Sequence, residues 1–258
     1  MPAKSSHRTP LLFIHGAWHG AWCWENFQAY FAGQGFASYA LNLRGHGAEA
    51  DQKHLRWLRI SDYVADVAQE IEQLPAAPVL VGHSMGGFII LKYLERRTAP
   101  AAVLLAPAPA RGSLRMFLRL ALRHPWQMLK CHLTLKPYAL IETPQLAREA
   151  LFSDDIPEAT LQRYFAQLQN ESYRAGWDTI AFDLPRPERM HIPPMLVLGA
   201  ANDRLFSQSE IETTARLCHA QVEFFPNLAH DIMLEQNWHQ VAGCILAWLL
   251  ELGTKHVI

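Results

Sequence analysis

Ser84 stands between two glycines in "LVGHSMGGF", with Gly82 and Gly86 two residues to either side. A serine hydroxyl is a weak nucleophile until a base takes its proton. It attacks well only when the backbone lifts it clear of its neighbours. The G-x-S-x-G spacing meets the second need. An apolar run precedes the serine and "MGGFIILKYL" follows it as a helix, so the chain reverses at Ser84, and the flanking residues must be small. Acyl transfer at such a serine requires three further things: an imidazole within reach, a carboxylate that orients the imidazole, and N–H donors for the developing oxyanion. Thirteen histidines are available, so position in the fold has to choose among them.

The elements that must bring these groups together are legible as alternating patterns. Residues 10–16, 36–43, 78–83, 101–106, 194–200 and 220–225 are short apolar, β-branched runs and read as strands. Their near-continuous apolarity predicts strands covered on both faces, and hence a mostly parallel sheet. Helical patterns fill the intervals: 24–34, 61–74 with Ser61 as N-cap, 85–97, a helix opened by a Ser207/Glu210 capping box, and 237–251. That last helix carries Trp238, Val241, Ile245, Trp248 and Leu249 on one face. The fold class is α/β, a doubly wound sheet. Between about 110 and 190 the alternation gives way to helices punctuated by Pro125, Pro137, Pro144 and Pro157. This predicts a core of 1–110 and 191–258 with a helical cap, 111–190, inserted in it.

The motifs in this order resemble the α/β-hydrolase family nearly end to end. They are "FIHGAWHGAWCWENF", "LNLRGHG", "GHSMGG", "LVLGAANDRLF" and "NLAHDIMLE". The first is similar to small esterases and hydroxynitrile lyases, and "GHSMGG" also to monoacylglycerol lipases. His230 lies between the last strand and the final helix, and follows the serine as the order Ser, Asp, His requires. The resemblance implies Asp203 as the acid, since it stands just past the 194–200 strand. The other familiar position for that acid, "PAPARG", offers no carboxylate. Asp231 is expected to begin the final helix rather than to fold back on its neighbour His230. Met85 is expected to give one oxyanion N–H and Ala17 or Trp18 the other, the resemblance favouring Ala17. His15, Gly16, Trp18 and His83 are candidates for the pocket, as are His19 and His46, although His83 is expected to point away from the hydroxyl. Trp22 and Trp24 are expected in core or pocket wall.

The implied function is carboxylic ester hydrolysis through an acyl-enzyme on Ser84, with a small-molecule acyl ester as substrate and without metal or cofactor. The same constellation serves carbon–carbon bond hydrolases and lyases, and a catalytically silent receptor-like module is the third reading. The lyases add a lysine, and none lies near "NLAHDIMLE" or "ANDRLF". A net charge of −1 provides no general attraction to nucleic acid. Four dispersed cysteines and a polar start without a signal-peptide pattern point to free thiols and a cytoplasmic location. Arg111, Arg115, Arg119 and Arg123 recur every four residues, and no Asp or Glu occurs between Glu95 and Glu142. The expectation is a solvated basic face on the cap, open to weak contact with anionic lipid.

Overall fold

A computed structural model describes residues 8–48 and 50–254. The polar start read from the sequence falls largely in 1–7, outside the described residues. The first strand, β1 (Leu11–Ile14), leads to α1 (Glu25–Gly33) and β2 (Ser38–Leu41). Then α2 (Ile60–Gln73), β3 (Val79–His83), α3 (Met85–Leu94) and β4 (Ala102–Leu105) follow. A long helical segment contains α4 (Leu114–Arg123), α5 (Pro125–Thr134), α6 (Pro144–Leu151), α7 (Glu158–Phe165) and α8 (Tyr173–Trp177). The chain returns through β5 (Met195–Ala200), α9 (Gln208–Leu217), β6 (Gln221–Phe225) and α10 (Trp238–Thr254).

The strands form one sheet in the order β2-β1-β3-β4-β5-β6, and every neighbouring pair is parallel. Every residue of β1, β3, β4 and β5 is buried, which is why these strands read as unbroken apolar runs. The two edge strands depart from that expectation. β2 is half-buried, and the first residues of β6 face solvent, because an edge strand has a neighbour on one side only. The chain steps from β1 outward to β2 and then back across β1 to β3. The loops after β1 and β3 therefore diverge, and the crevice they leave at the carboxyl ends of the strands is where such a sheet places its site.

Local rules explain most helix ends. The Ser207/Glu210 capping box forms as its spacing predicts, and Pro125 and Pro144 occupy first helical turns, where a missing N–H costs nothing. The α2 start is a correction. Arg59, not Ser61, is the N-cap, and Asp62 accepts the Arg59 N–H at 2.8 Å. Ser61 lies two residues too late because the apolar face begins at Ile60, which is fully buried. In α10, Val241, Ile245, Trp248 and Leu249 are buried on one face as their spacing requires.

The helical segment between β4 and β5 is stitched to the sheet by side chains as well as by its ends. Asp178 is fully buried and receives both Arg59, at 3.2 Å, and the Ile60 N–H at the start of α2. The Gln169 N–H donates to the Trp18 carbonyl at 2.8 Å, and the Asp231 N–H donates to the Leu151 carbonyl at 2.9 Å. Among the four spaced arginines, Arg111 precedes α4, Arg119 meets Glu210, and Arg123 meets Glu149. Half of the expected free basic stripe is therefore spent on carboxylates. No helix among the described residues is long and apolar enough to cross a membrane.

Candidate active site

Ser84 occupies the turn between β3 and α3 with φ 50° and ψ −116°, a region that L-residues enter only under strain. The glycines make that turn physically possible. A Cβ at Gly86 would lie 2.2 Å from the Ile14 carbonyl oxygen, and one at Gly82 would lie 2.6 Å from the Gly86 backbone. Gly16, after β1, packs against the same turn, where a Cβ would meet His83 Nδ1 at 2.8 Å and Ser84 Cβ at 2.9 Å. Three close backbone approaches thus fix where the hydroxyl points.

The Ser84 hydroxyl donates to His230 Nε2 at 2.9 Å, and His230 Nδ1 donates to Asp203 Oδ2 at 2.8 Å. Asp203 is fixed in turn, because its Oδ1 accepts the N–H groups of Leu205 at 2.7 Å and Phe206 at 3.0 Å. With Nδ1–H committed to the carboxylate, Nε2 is free to accept the serine proton, which is the tautomer a general base needs. Burial alone would push the His230 pKa down. The Asp203 charge and hydrogen bond, with a further contribution from Asp231, outweigh burial and hold it above the ordinary histidine value.

Met85 is the first residue of α3, so its N–H belongs to the helix start, where no intrahelical acceptor exists. Met85, Ala17, Trp18 and Ser84 line one cavity of about 850 Å³, its open mouth included, walled mostly by apolar side chains such as Met116, Phe117, Leu120 and Trp177, with Ser113, His132 and Glu171 also on its lining. Trp18 holds φ 66° and is part of that wall. Trp24 is in the core, stacked on Phe13 at 4.9 Å.

His15, His19, His46 and His83 do not line the cavity; all four are buried beneath it. His15 Nδ1 donates to the Gly16 carbonyl and its Nε2 accepts the Leu43 N–H, so the ring is neutral; burial, reinforced by His46, holds its pKa well below the ordinary value. His46 faces Glu171 at 3.1 Å, and although burial opposes its charge, that carboxylate raises its pKa. His83 points away from the hydroxyl as expected, and Nε2 donates to the His230 carbonyl at 3.1 Å. Burial, helped by His230, takes its pKa down to about 3.

Asp231 is the main departure from the sequence reading. It does not begin the final helix, which starts at Trp238; it is fully buried and accepts from His19 Nε2 at 2.9 Å. His19 Nδ1 donates to the Ala17 carbonyl at 2.8 Å. Both nitrogens of His19 thus face acceptors, and an ionised Asp231 is the stronger acceptor of the two. Burial opposes that ionisation, but His19, then His83 and His230, hold the Asp231 pKa below the usual carboxylate range. The ligand atoms of His19, His83 and Asp231 lie within 4.8 Å of one another, so this trio has metal-capable chemistry. Its hydrogen bonds serve another purpose. They tie the Ala17 loop, the Ser84 turn and the His230 loop together beneath the site. No local pattern marks this trio, since its members come from three distant loops.

A strained serine turn, a Ser–His–Asp relay and a six-stranded parallel sheet occur together in one chain. The sequence profile of the alpha/beta hydrolase family matches residues 11–243. The chain belongs to the alpha/beta hydrolase family. Within it, the chain is 38% identical over 88 residues to Methylesterase 10 of Arabidopsis thaliana, a match covering 33% of this chain and 32% of that protein. It is 36% identical over 89 residues to Methyl jasmonate esterase 1 of Vitis vinifera, covering 33% of each. The aligned stretches thus span about a third of the curated relatives' length. A monoacylglycerol lipase from Paleococcus ferrophilus has the same fold, with a TM-score of 0.72 and 19% identity over 95% of this chain and 96% of that one.

Proposed function

We propose that this chain hydrolyses carboxylic esters through an acyl-enzyme on Ser84. The observation that carries the proposal is the continuous relay of Ser84 Oγ, His230 and Asp203 at 2.9 and 2.8 Å. Ser84 attacks the acyl carbon as His230 takes the hydroxyl proton, and Asp203 stabilises the imidazolium so formed. The tetrahedral oxyanion is held by the N–H groups of Met85 and Ala17. His230 then protonates the departing alkoxide, and in the second half-reaction it removes a proton from water, whose oxygen attacks the acyl carbon and displaces Ser84 Oγ, which takes the proton back from His230. The apolar cavity wall supports a lipophilic acyl or alcohol moiety, and the names of the methylesterase relatives support an ester bond as the target. Residues 111–190 act as the cap that provides most of this wall. Four free thiols support a reducing, cytoplasmic setting.

Replacing Ser84 by Ala should lower turnover of p-nitrophenyl esters by ~10³-fold or more. It should also abolish labelling by a fluorophosphonate probe. An alanine variant that hydrolyses esters at the parent rate would overturn the assignment.

A further inference from the structure

The helices that roof the cavity are apolar on the outside as well. Six large apolar side chains of α4 and α5, namely Leu114, Leu118, Leu122, Trp126, Leu129 and Leu133, are exposed, from 46% at Leu129 to 85% at Leu122. Their spacing places three on one face of each helix, at i, i+4, i+8 in α4 and at i, i+3, i+7 in α5. Only His124 separates the two helices, and Leu122 and Trp126 stand four residues apart across it. Folded monomers seldom expose apolar side chains in such a group without a partner. The inner faces of the same helices line the cavity through Met116, Phe117, Leu120 and Met128.

We infer that this outer face of α4 and α5 seats on the surface of a lipid bilayer bearing anionic headgroups. Charge decides the occupant. Arg111 and Arg115 flank the apolar face, are exposed, and have no acidic partner among the described residues. The sequence from 96 to 141 contains no Asp or Glu. A second copy of the chain on this face would set like charge against like charge, whereas anionic headgroups complement it. Leucines and a tryptophan then enter the acyl boundary while the arginines remain at headgroup level. Seating α4 and α5 there brings a lipophilic ester from the bilayer to the cavity roof. Only this choice of cargo rests on the ester-hydrolase reading; the seating itself does not.

The test is co-sedimentation of the full chain with phosphatidylcholine vesicles, with and without phosphatidylglycerol. The wild-type protein should pellet with the mixed vesicles. A combined Leu118→Gln, Leu122→Gln and Trp126→Gln variant should lose roughly a hundredfold in partitioning. Its hydrolysis of a short water-soluble ester should not change, because none of the three side chains lines the cavity. Arg111→Gln with Arg115→Gln should cost about fivefold per charge, and only on the anionic vesicles. Binding by Ser84→Ala equal to wild type keeps this question separate from that of catalysis. Failure of the wild type to pellet, equal pelleting of the triple variant, or a dimer in sedimentation velocity that the triple variant abolishes would each overturn the inference.

Discussion

At the scale of single residues, the site is a chain of assigned protons. Asp203 Oδ2 takes the Nδ1 proton of His230, which leaves Nε2 to receive the serine proton. An Asp203→Asn substitution keeps the shape but offers an amide that can hold the opposite tautomer, so kcat should fall on the order of 10³- to 10⁴-fold. The pH profile supplies the sign. His230 must be neutral to act as base, so activity is lost as pH falls through its pKa, which the wild-type carboxylate raises. Without that charge the acid limb should move to lower pH, read from kcat/KM against pH; an unmoved limb would show that Asp203 does not control the base. Asp231 acts one layer deeper. Removing it as Asp231→Ala leaves His19 without its acceptor and loosens the Ala17 loop, and should lower kcat by about tenfold with little change in KM. The Asn variant, which can still accept from His19, should recover most of that loss in the same assay.

At the scale of elements, backbone contact positions the site more than side-chain packing does. The β3–α3 turn is pressed against the end of β1, and the glycines exist because no Cβ fits between them. Gly86→Ala would drive a methyl into the Ile14 carbonyl at 2.2 Å, and neither backbone can yield without shifting β1 or α3. The expected result is a loss of about 3 kcal/mol in denaturant unfolding, with activity falling alongside. A tolerated alanine there would mean that the turn is looser than its geometry indicates. The helical segment is bound to the core at sites that matter: Gln169 holds the Trp18 carbonyl, and Leu151 receives the N–H of Asp231. Its contacts therefore reach both the loop of Ala17 and the loop of His230.

At the scale of the whole molecule, buried histidines couple folding to acidity. His83 has a folded pKa of about 3 against ~6.5 when unfolded, so between these values the unfolded chain binds the extra proton. Stability from this residue is complete above pH ~6.5 and falls as pH drops, at about 1.4 kcal/mol per pH unit at most. His15 has the same sign, while His46 and His230, whose pKa values are raised, stabilise at low pH and lose that contribution as pH rises through their folded values. The melting temperature should decline below pH ~6.5 in the wild type. It should decline less steeply in His83→Gln; identical slopes would remove His83 from the account.

The strands and their parallel pairing, the helix-rich stretch between β4 and β5, the capping box at Ser207 and the serine turn were all legible in the sequence, whereas the order β2-β1-β3-β4-β5-β6 was not. Each rests on short-range rules: apolar periodicity, proline placement and the small residues that a tight reversal needs. His230 was legible through its place after the last strand and Asp203 through the family resemblance, and a parallel sheet converts both positions into proximity at one edge. Ser61 misled because N-cap preference is weak beside the burial of Ile60. Asp231, His19 and the pairing of Arg119 and Arg123 with Glu210 and Glu149 could be decided only by the tertiary structure. Their partners come from loops and helices far apart in the chain, and no local spacing encodes a contact between groups that meet only when the sheet and the helices above it close together.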